Sequence, residues 1–491
     1  MKKKLSLGLA LSLLICSVGF SACGGKEDVP VFAETEGVRF TAYSGPTVEN
    51  WSGSQKNIST LTDEHFQKFV DAGFNKLIAI HEGAPFTSDK DPYEQIKKHS
   101  KRAEEDALEV LALAEKYNVK YYVRDWSFYN MNNETYWQAM DSYEDYERVI
   151  SEMFGENNPY IHSPSYAGNF GRDEPGADQF ERIGWQIDLY NKYMKERGVE
   201  GAEMLVNLLP AYGSTISYGG EKGEPISYTE YIDRYFEQLA PKLGYVSFDY
   251  YPFMRDNRTG SLLKTSYVSN LELLANKCKQ TGYELRTFVQ TGGDFTGLRD
   301  LTSIGDFRLQ VYMNLAFGAR EMTYYEYGTF NDQVDGDFGL IDLQDGSYNY
   351  TYDLAKRVNN EVHAFEDAYL HYNYDGVMCF TATEKADDII NVHFRGVANQ
   401  LESHPRLKKV VNSEDIVLTS FKDADNKDAF MLVNYTDPMY NLSNEVTITF
   451  NDASRLLMYR FGEPIVVSLN SKGAYTFKLY PGEGRFIIPL K

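Results

Sequence analysis

From Val38 to Phe330 one unit recurs eight times: an apolar run that ends in polar or glycine residues, followed by an amphipathic helical pattern. The runs are VRFTAYSG, KLIAIHEG, KYYVRDW, AGNFGRDEPG, AEMLVNLLP, YVSFDYYPF, LRTFVQTGG and MTYYEYGT. Between them lie segments such as LTDEHFQKFVDAG, AEEDALEVLALAEKYN and DFRLQVYMNLAFGAR, in which apolar residues recur at helical spacing. Successive runs are roughly 35 to 48 residues apart, the interval of a strand–helix unit with loop insertions. Eight units predict an α/β chain closed into a (β/α)8 TIM barrel over residues 37–371. An open doubly wound sheet is disfavoured because the count stops at eight.

The pattern changes after YDLAKRVNNEVHAFEDAYLH. GVMCFTAT, IVLTSF, AFMLVNYT, EVTITF, RLLMYRF, YTFKLY and GRFIIPL are short alternating strands separated by turn residues. They predict a small all-β sandwich over residues 372–491.

The first residues read as a targeting segment. MKKK is a basic start, LSLGLALSLLICSVGF is an apolar stretch, and small residues precede Cys23. This resembles the lipobox of bacterial lipoproteins, which implies removal of residues 1–22 and a lipid on Cys23. Residues 23–36 then form an acidic tether without periodicity. Gly24 in place of Asp favours an outer-membrane or surface address. Cys16 would leave with the signal, so Cys278 and Cys379 remain as two thiols with no disulfide framework. A net charge of −22 argues against nucleic acid and anionic membrane surfaces as partners.

In a barrel of this kind the chemistry sits at the C-terminal ends of the strands. Those ends offer Tyr43, then His81 and Glu82, then Arg124, Asp125 and Trp126, then Arg172, Asp173 and Glu174. Asn207 follows, then Asp249, Tyr250 and Tyr251, then Gln290, and last Tyr325, Glu326 and Tyr327. No zinc-ligand spacing, nucleophile elbow or phosphate-cradling loop accompanies them, so no metal or cofactor is expected. Carboxylates among aromatics suit glycoside hydrolysis: one acid protonates the leaving oxygen, a second supports the sugar carbon, and ring faces hold the substrate. The 38 tyrosines fit that use, each with a flat face and a hydroxyl at its rim. Glu174, crowded by Asp173 before Pro175, would carry a raised pKa suited to a general acid. The plainer alternative is a helix start, with an acid and Pro at the positive end of a helix.

The Asp-Glu-Pro at residues 173–175 is similar to the Asn-Glu-Pro of clan A glycoside hydrolases. That resemblance implies that Glu174 is the acid/base and that Asp173 takes the sugar-contacting Asn position. VQTGG, QVYMNLAFGAREMTYYEYG and YPGEGRFIIPL resemble β-galactosidase-like barrel proteins with a C-terminal sandwich. The implied activity is cleavage of a neutral oligosaccharide or glycan. Clan A places its nucleophile at the end of strand 7, where this chain has Gln290; Glu284 lies at the wrong end and Asp294 beyond it. Glu326 is therefore the preferred partner of Glu174, shielded by its aromatic flanks, with Asp249 second. Arg172, Trp126, Asp125, Asn207, Tyr250, Gln290, Tyr325 and His81 are candidate substrate contacts. Adjacent Asp173 and Glu174 also resemble hexosaminidases in which the substrate's acetamido group attacks. A carbohydrate-binding lipoprotein that has lost catalysis is the other alternative, which Gln290 permits.

Overall fold

The computed structural model describes residues 29–52, 55–78, 92–132, 140, 142–255, 263–293, 297–329, 339–382 and 393–491. The proposed lipidation site Cys23 and the strand-end residues His81 and Glu82 lie outside them. Eight parallel strands make the barrel: β1 Arg39–Tyr43, β2 Lys76–Ile78, β3 Lys120–Val123, β4 Tyr166–Asp173, β5 Glu203–Asn207, β6 Tyr245–Phe248, β7 Glu284–Gln290 and β8 Glu321–Tyr325. Hydrogen bonds run from β5 through β4, β3, β2, β1, β8 and β7 to β6, and a parallel bridge between Leu208 and Phe248 brings the two ends together. A helix follows each strand, from Asp63–Asp71 after β1 to Tyr350–His363 after β8.

Strand alternation divides the residues between two environments. On β1, Phe40 and Ala42 face the helices and are fully buried, whereas Arg39, Thr41 and Tyr43 face the barrel interior. The lower interior is ionic. Lys76 and Arg39 each approach Glu321 to 3.0 Å, the Thr41 hydroxyl donates to Glu321 at 2.7 Å, and Arg286 forks onto Glu203 at 2.6 and 3.0 Å. Glu284 belongs to this layer, paired with Arg39 and Arg286. Nothing in the apolar runs announces a charged barrel floor, because β1, β2, β5 and β8 each contribute a single such residue at their start and β7 two, Glu284 and Arg286.

The remaining strands are β9 Asn373–Phe380, β10 Leu407–Asn412, β11 Ile416–Lys422, β12 Asp428–Asn434, β13 Asn444–Phe450, β14 Arg455–Arg460, β15 Glu463–Ser468, β16 Ala474–Leu479 and β17 Gly484–Leu490. They form two antiparallel sheets, β9-β11-β12-β17-β14-β15 and β10-β13-β16. Ile416, Leu418, Phe430, Leu432, Val446 and Ile448 fill the space between the sheets. On the larger sheet the alternate residues Val417, Phe421, Met431, Val433 and Phe486 join the barrel's own core. The helix Ile304–Ala316 lies in that junction and is buried from Gly305 to Ala316. Four of its polar residues are engaged there: Arg308 with Glu361, Asp306 with Arg299, Gln310 with the Gln290 backbone, and Asn314 with the Phe288 carbonyl. Arg299 also reaches Asp437 of the β12–β13 loop at 2.8 Å, which ties the mouth end of the barrel to the sandwich. Cys278 is buried and Cys379 half-buried, both as free thiols. No helix among the described residues is long and apolar enough to cross a membrane.

Candidate active site

β4 departs twice from a regular strand, and each departure depends on a glycine. Gly168 has φ +136°, and a Cβ there would lie 1.8 Å from the Glu203 carbonyl oxygen. Further along, Phe170 pairs with Leu205, Arg172 with Val206 and Asp173 with Asn207, so Gly171 is an extra residue in a bulge. In a regular strand Phe170 and Asp173, three apart, would face opposite sides. The bulge turns both into the barrel. Glu174 then adopts φ +45°, the left-handed region, and its N–H donates to the Asn207 carbonyl at 2.8 Å. That turn carries a second consecutive acid into the mouth. The helix starts beyond it do not use Glu174 as a cap: their N-caps are Gly176 and Gln179.

A left-handed conformation at a residue with a Cβ costs roughly 1 to 2 kcal/mol. Glu174→Gly is therefore expected to stabilise the fold by about 1 kcal/mol, read as a higher urea midpoint at pH 8. An unchanged or lower midpoint would mean that the turn is not strained.

Asn207 organises the acids. Its Oδ1 accepts from the Ser247 hydroxyl at 2.9 Å, which fixes the amide so that Nδ2 donates to Asp173 at 3.1 Å and to Asp249 at 3.2 Å. Asp173 also accepts from the Tyr43 hydroxyl at 3.2 Å. Asp249 and Glu174 are neighbours whose carboxyls act on each other's titration. Glu174 opens onto solvent at the mouth, yet the surrounding protein raises its pKa to about 7, first through loss of hydration and then through the charge of Asp173. Burial, with the charges of Glu174 and Asp173, pushes Asp249 well above the ordinary carboxylate range. Burial also raises Asp173, with Arg124, Asn207 and Tyr43 acting in the opposite direction.

Aromatic rings surround these acids. Tyr325 packs on Tyr43 at 5.2 Å and on Tyr251 at 5.5 Å. Trp126 and Tyr129, half-buried on the short helix Trp126–Tyr129, stack with centroids 6.2 Å apart. Tyr212, 41 % exposed, stands beside Asp249 and Glu174.

Other candidates are placed differently from the sequence expectation. Tyr250 turns away from the mouth, stacked on Tyr267 and bonded to the Ser266 hydroxyl, and Tyr251 is the strand-end tyrosine beside the acids. Asp125 caps its helix, accepting from the Ser127 and Phe128 amides. Gln290 is held by the backbone: its Nε2 donates to the Gly292 and Arg299 carbonyls, and its Oε1 accepts from the Phe253 amide. That carboxamide supports the loops after β6 and β7 and does not project at a ligand. Glu326 is buried, with the Ser44 hydroxyl 3.5 Å from its carboxylate. The acid that meets Glu174 is Asp249, although the sequence reading preferred Glu326. Asp294 lies outside the described residues.

Tyr43, Arg124 and Tyr251, named at strand ends but not among the candidate contacts, belong to the mouth, as do Tyr129 and Tyr212, which the sequence reading did not name. Their strand-end or loop positions were visible in the sequence, and their inward direction was not. Among the described residues no group of metal-ligating side chains is assembled.

No family model matches the chain, and no curated protein matches it in sequence. Solved structures do. A catalytic mutant of a GH42 β-galactosidase from G. stearothermophilus aligns over 93% of this chain and 99% of its own, with a TM-score of 0.51 and 9% identity. The β-galactosidase from Marinomonas ef1 aligns over 67% of this chain at 12% identity and a TM-score of 0.46, and this chain spans 60% of that enzyme's length. The cold-adapted β-galactosidase from Rahnella sp. R3 aligns over 91% of this chain and 99% of its own, at 9% identity and a TM-score of 0.45. At 9% identity the first likeness is one of fold: the chain shares the barrel architecture of a glycoside hydrolase.

Proposed function

We propose that the protein is a glycoside hydrolase that cleaves an oligosaccharide or glycan, with Glu174 as the general acid. The observation that carries this reading is Glu174 itself: a carboxylic acid with a pKa raised to about 7, delivered to the barrel mouth by a bulge and a left-handed turn. An acid with that pKa is protonated enough near neutrality to donate to a glycosidic oxygen and basic enough to take the proton back from water. Tyr325, Tyr251 and Tyr212 offer ring faces and hydroxyls for the sugar.

The carboxyls of Asp249 and Glu174 act directly on each other, which is not the arrangement of two acids standing apart on either side of a sugar carbon. The role of Asp249 in this reading is to share and position the proton of Glu174. That closeness also favours a second reading, substrate-assisted hydrolysis of a 2-acetamido sugar. There Asp173 orients the acetamido group and no protein nucleophile is required.

A panel of aryl glycosides, including an N-acetylhexosaminide, tests both readings with wild type and Glu174→Gln. Turnover by wild type, reduced in the variant and most so for the poorest leaving groups, supports a hydrolase, and turnover restricted to the acetamido sugar selects the second reading. Glycan binding by both proteins with turnover by neither would leave a carbohydrate-binding protein in place of an enzyme.

We further propose that the protein is anchored by lipid on Cys23 at the outer membrane or cell surface. The motif preceding that residue supports this. Cys23→Ala is expected to release the protein from the membrane fraction and abolish lipid labelling, and a variant that stays membrane-bound and labelled would refute the anchor.

A further inference from the structure

Arg172 stands at the end of β4, two residues before Glu174, and among the described residues its guanidinium makes no hydrogen bond. Its neighbour Asp173 has both carboxylate oxygens engaged by other groups, Tyr43 on one and Asn207 on the other. Arg172 Nε is buried and has no hydrogen-bond partner among the described residues. The group rests over the ring of Tyr129, 5.7 Å from its centroid, and Arg124 approaches the same ring to 4.8 Å from the end of β3. A half-buried guanidinium loses hydration, and contact with a ring face offsets only part of that loss. A ligand that supplied hydrogen-bond acceptors with negative charge would offset the remainder.

We propose that Arg172, with Arg124 beside it, binds the carboxylate of a hexuronic acid residue, so that the glycan taken by this mouth is acidic and not the neutral one expected from the sequence. This rests on the glycosidase reading and names its substrate class. The planar guanidinium fork matches two carboxylate oxygens with parallel hydrogen bonds, a geometry that a single sugar hydroxyl does not fill. The net charge of −22 does not oppose this at close range, because charges beyond a Debye length of about 8 Å are largely screened at physiological salt. Within the mouth, burial raises the proton affinity of Glu174 and Asp249 and so lowers the negative charge that an incoming carboxylate meets.

The test is calorimetric titration of the full chain with a hexuronic-acid oligosaccharide and with its carboxyl-reduced form, which differs only in carrying a neutral hydroxymethyl group. Wild type is expected to bind the acidic form about tenfold or more tightly than the reduced form. Arg172→Met is expected to bring that ratio to about one, and Arg172→Lys to keep only part of it, since the charge remains without the fork. Equal binding of the two forms by wild type, or an unchanged ratio in Arg172→Met, overturns the proposal. Equal binding together with turnover of neutral aryl glycosides would reject the acidic substrate and leave the hydrolase intact. A strong preference for the acidic form, with no glycoside cleaved, would keep the ligand class and reject the hydrolase.

Discussion

If Glu174 is the proposed general acid, Glu174→Gln is expected to lower kcat/KM about 10²- to 10⁴-fold on a substrate with a poor leaving group, the range that a positioned general acid supplies. The loss is smaller on an activated aryl glycoside, whose leaving oxygen needs less protonation. The pH profile gives the sign independently. With a folded pKa of about 7, Glu174 is protonated below that pH, so wild-type activity falls as pH rises through 7. The variant's residual activity lacks this limb. Stability moves on the same group. Its folded pKa lies above its ordinary value of 4.5, so between these values the native state holds a proton that the unfolded chain has released. Wild type therefore loses stability relative to Glu174→Gln as pH rises from 4.5 to 7. Urea midpoints of the two proteins at pH 4.5 and pH 8 measure the difference. A variant with kcat/KM within threefold of wild type and the same alkaline limb would remove Glu174 from the chemistry.

Glu321→Gln carries the largest expected loss of stability, about 3 to 5 kcal/mol, because it strips the counter-charge from buried cations. Glu321 is 1 % exposed, with Lys76 and Arg39 each at 3.0 Å and Arg286 at 3.7 Å. Burial alone would raise its pKa, but Lys76, Arg286 and Arg39, with the Thr41 hydroxyl, hold it far below the ordinary carboxylate range. The folded pKa is depressed, so the stabilisation is present above the unfolded value of 4.5 and is lost as pH falls toward the folded pKa. The gap between wild type and variant should accordingly narrow in acid. Adding Lys76→Met to Glu321→Gln should recover part of the loss, since one unpaired cation is then removed. A single variant within 1 kcal/mol of wild type at pH 7, or a double variant less stable than the single, would show that the layer does not work as a charge network.

The architecture was legible because it rests on short-range pattern. Eight apolar runs each followed by a helix leave few closed arrangements; five of the observed strands fall inside the quoted runs, and β4, β7 and β8 begin one residue before theirs, at Tyr166, Glu284 and Glu321. In the sandwich, seven strands were visible and two were not. β10, LKKVVN, and β15, EPIVVS, are edge strands with mostly exposed side chains, so burial imposes little apolar alternation on them. The acids of the mouth were likewise visible as strand-end residues, since a strand end fixes height along the barrel axis.

Direction and partnership were not. Asp173 faces inward only because Gly171 bulges, and Glu174 follows it only because the backbone turns left-handed there. The pairing of Glu174 with Asp249 depends on an Asn207 amide held by Ser247, a relation among three strands that no single segment contains. Gln290 occupies a strand end like the acids, yet backbone groups after β6 and β7 claim its carboxamide. The sequence by itself determined which residues stand at the mouth, because strand length and periodicity are local properties of the chain. The tertiary structure decided which of them neighbour one another, which are engaged by the backbone and which face the mouth. Those outcomes depend on bulges, backbone turns and hydrogen bonds between segments far apart in the chain.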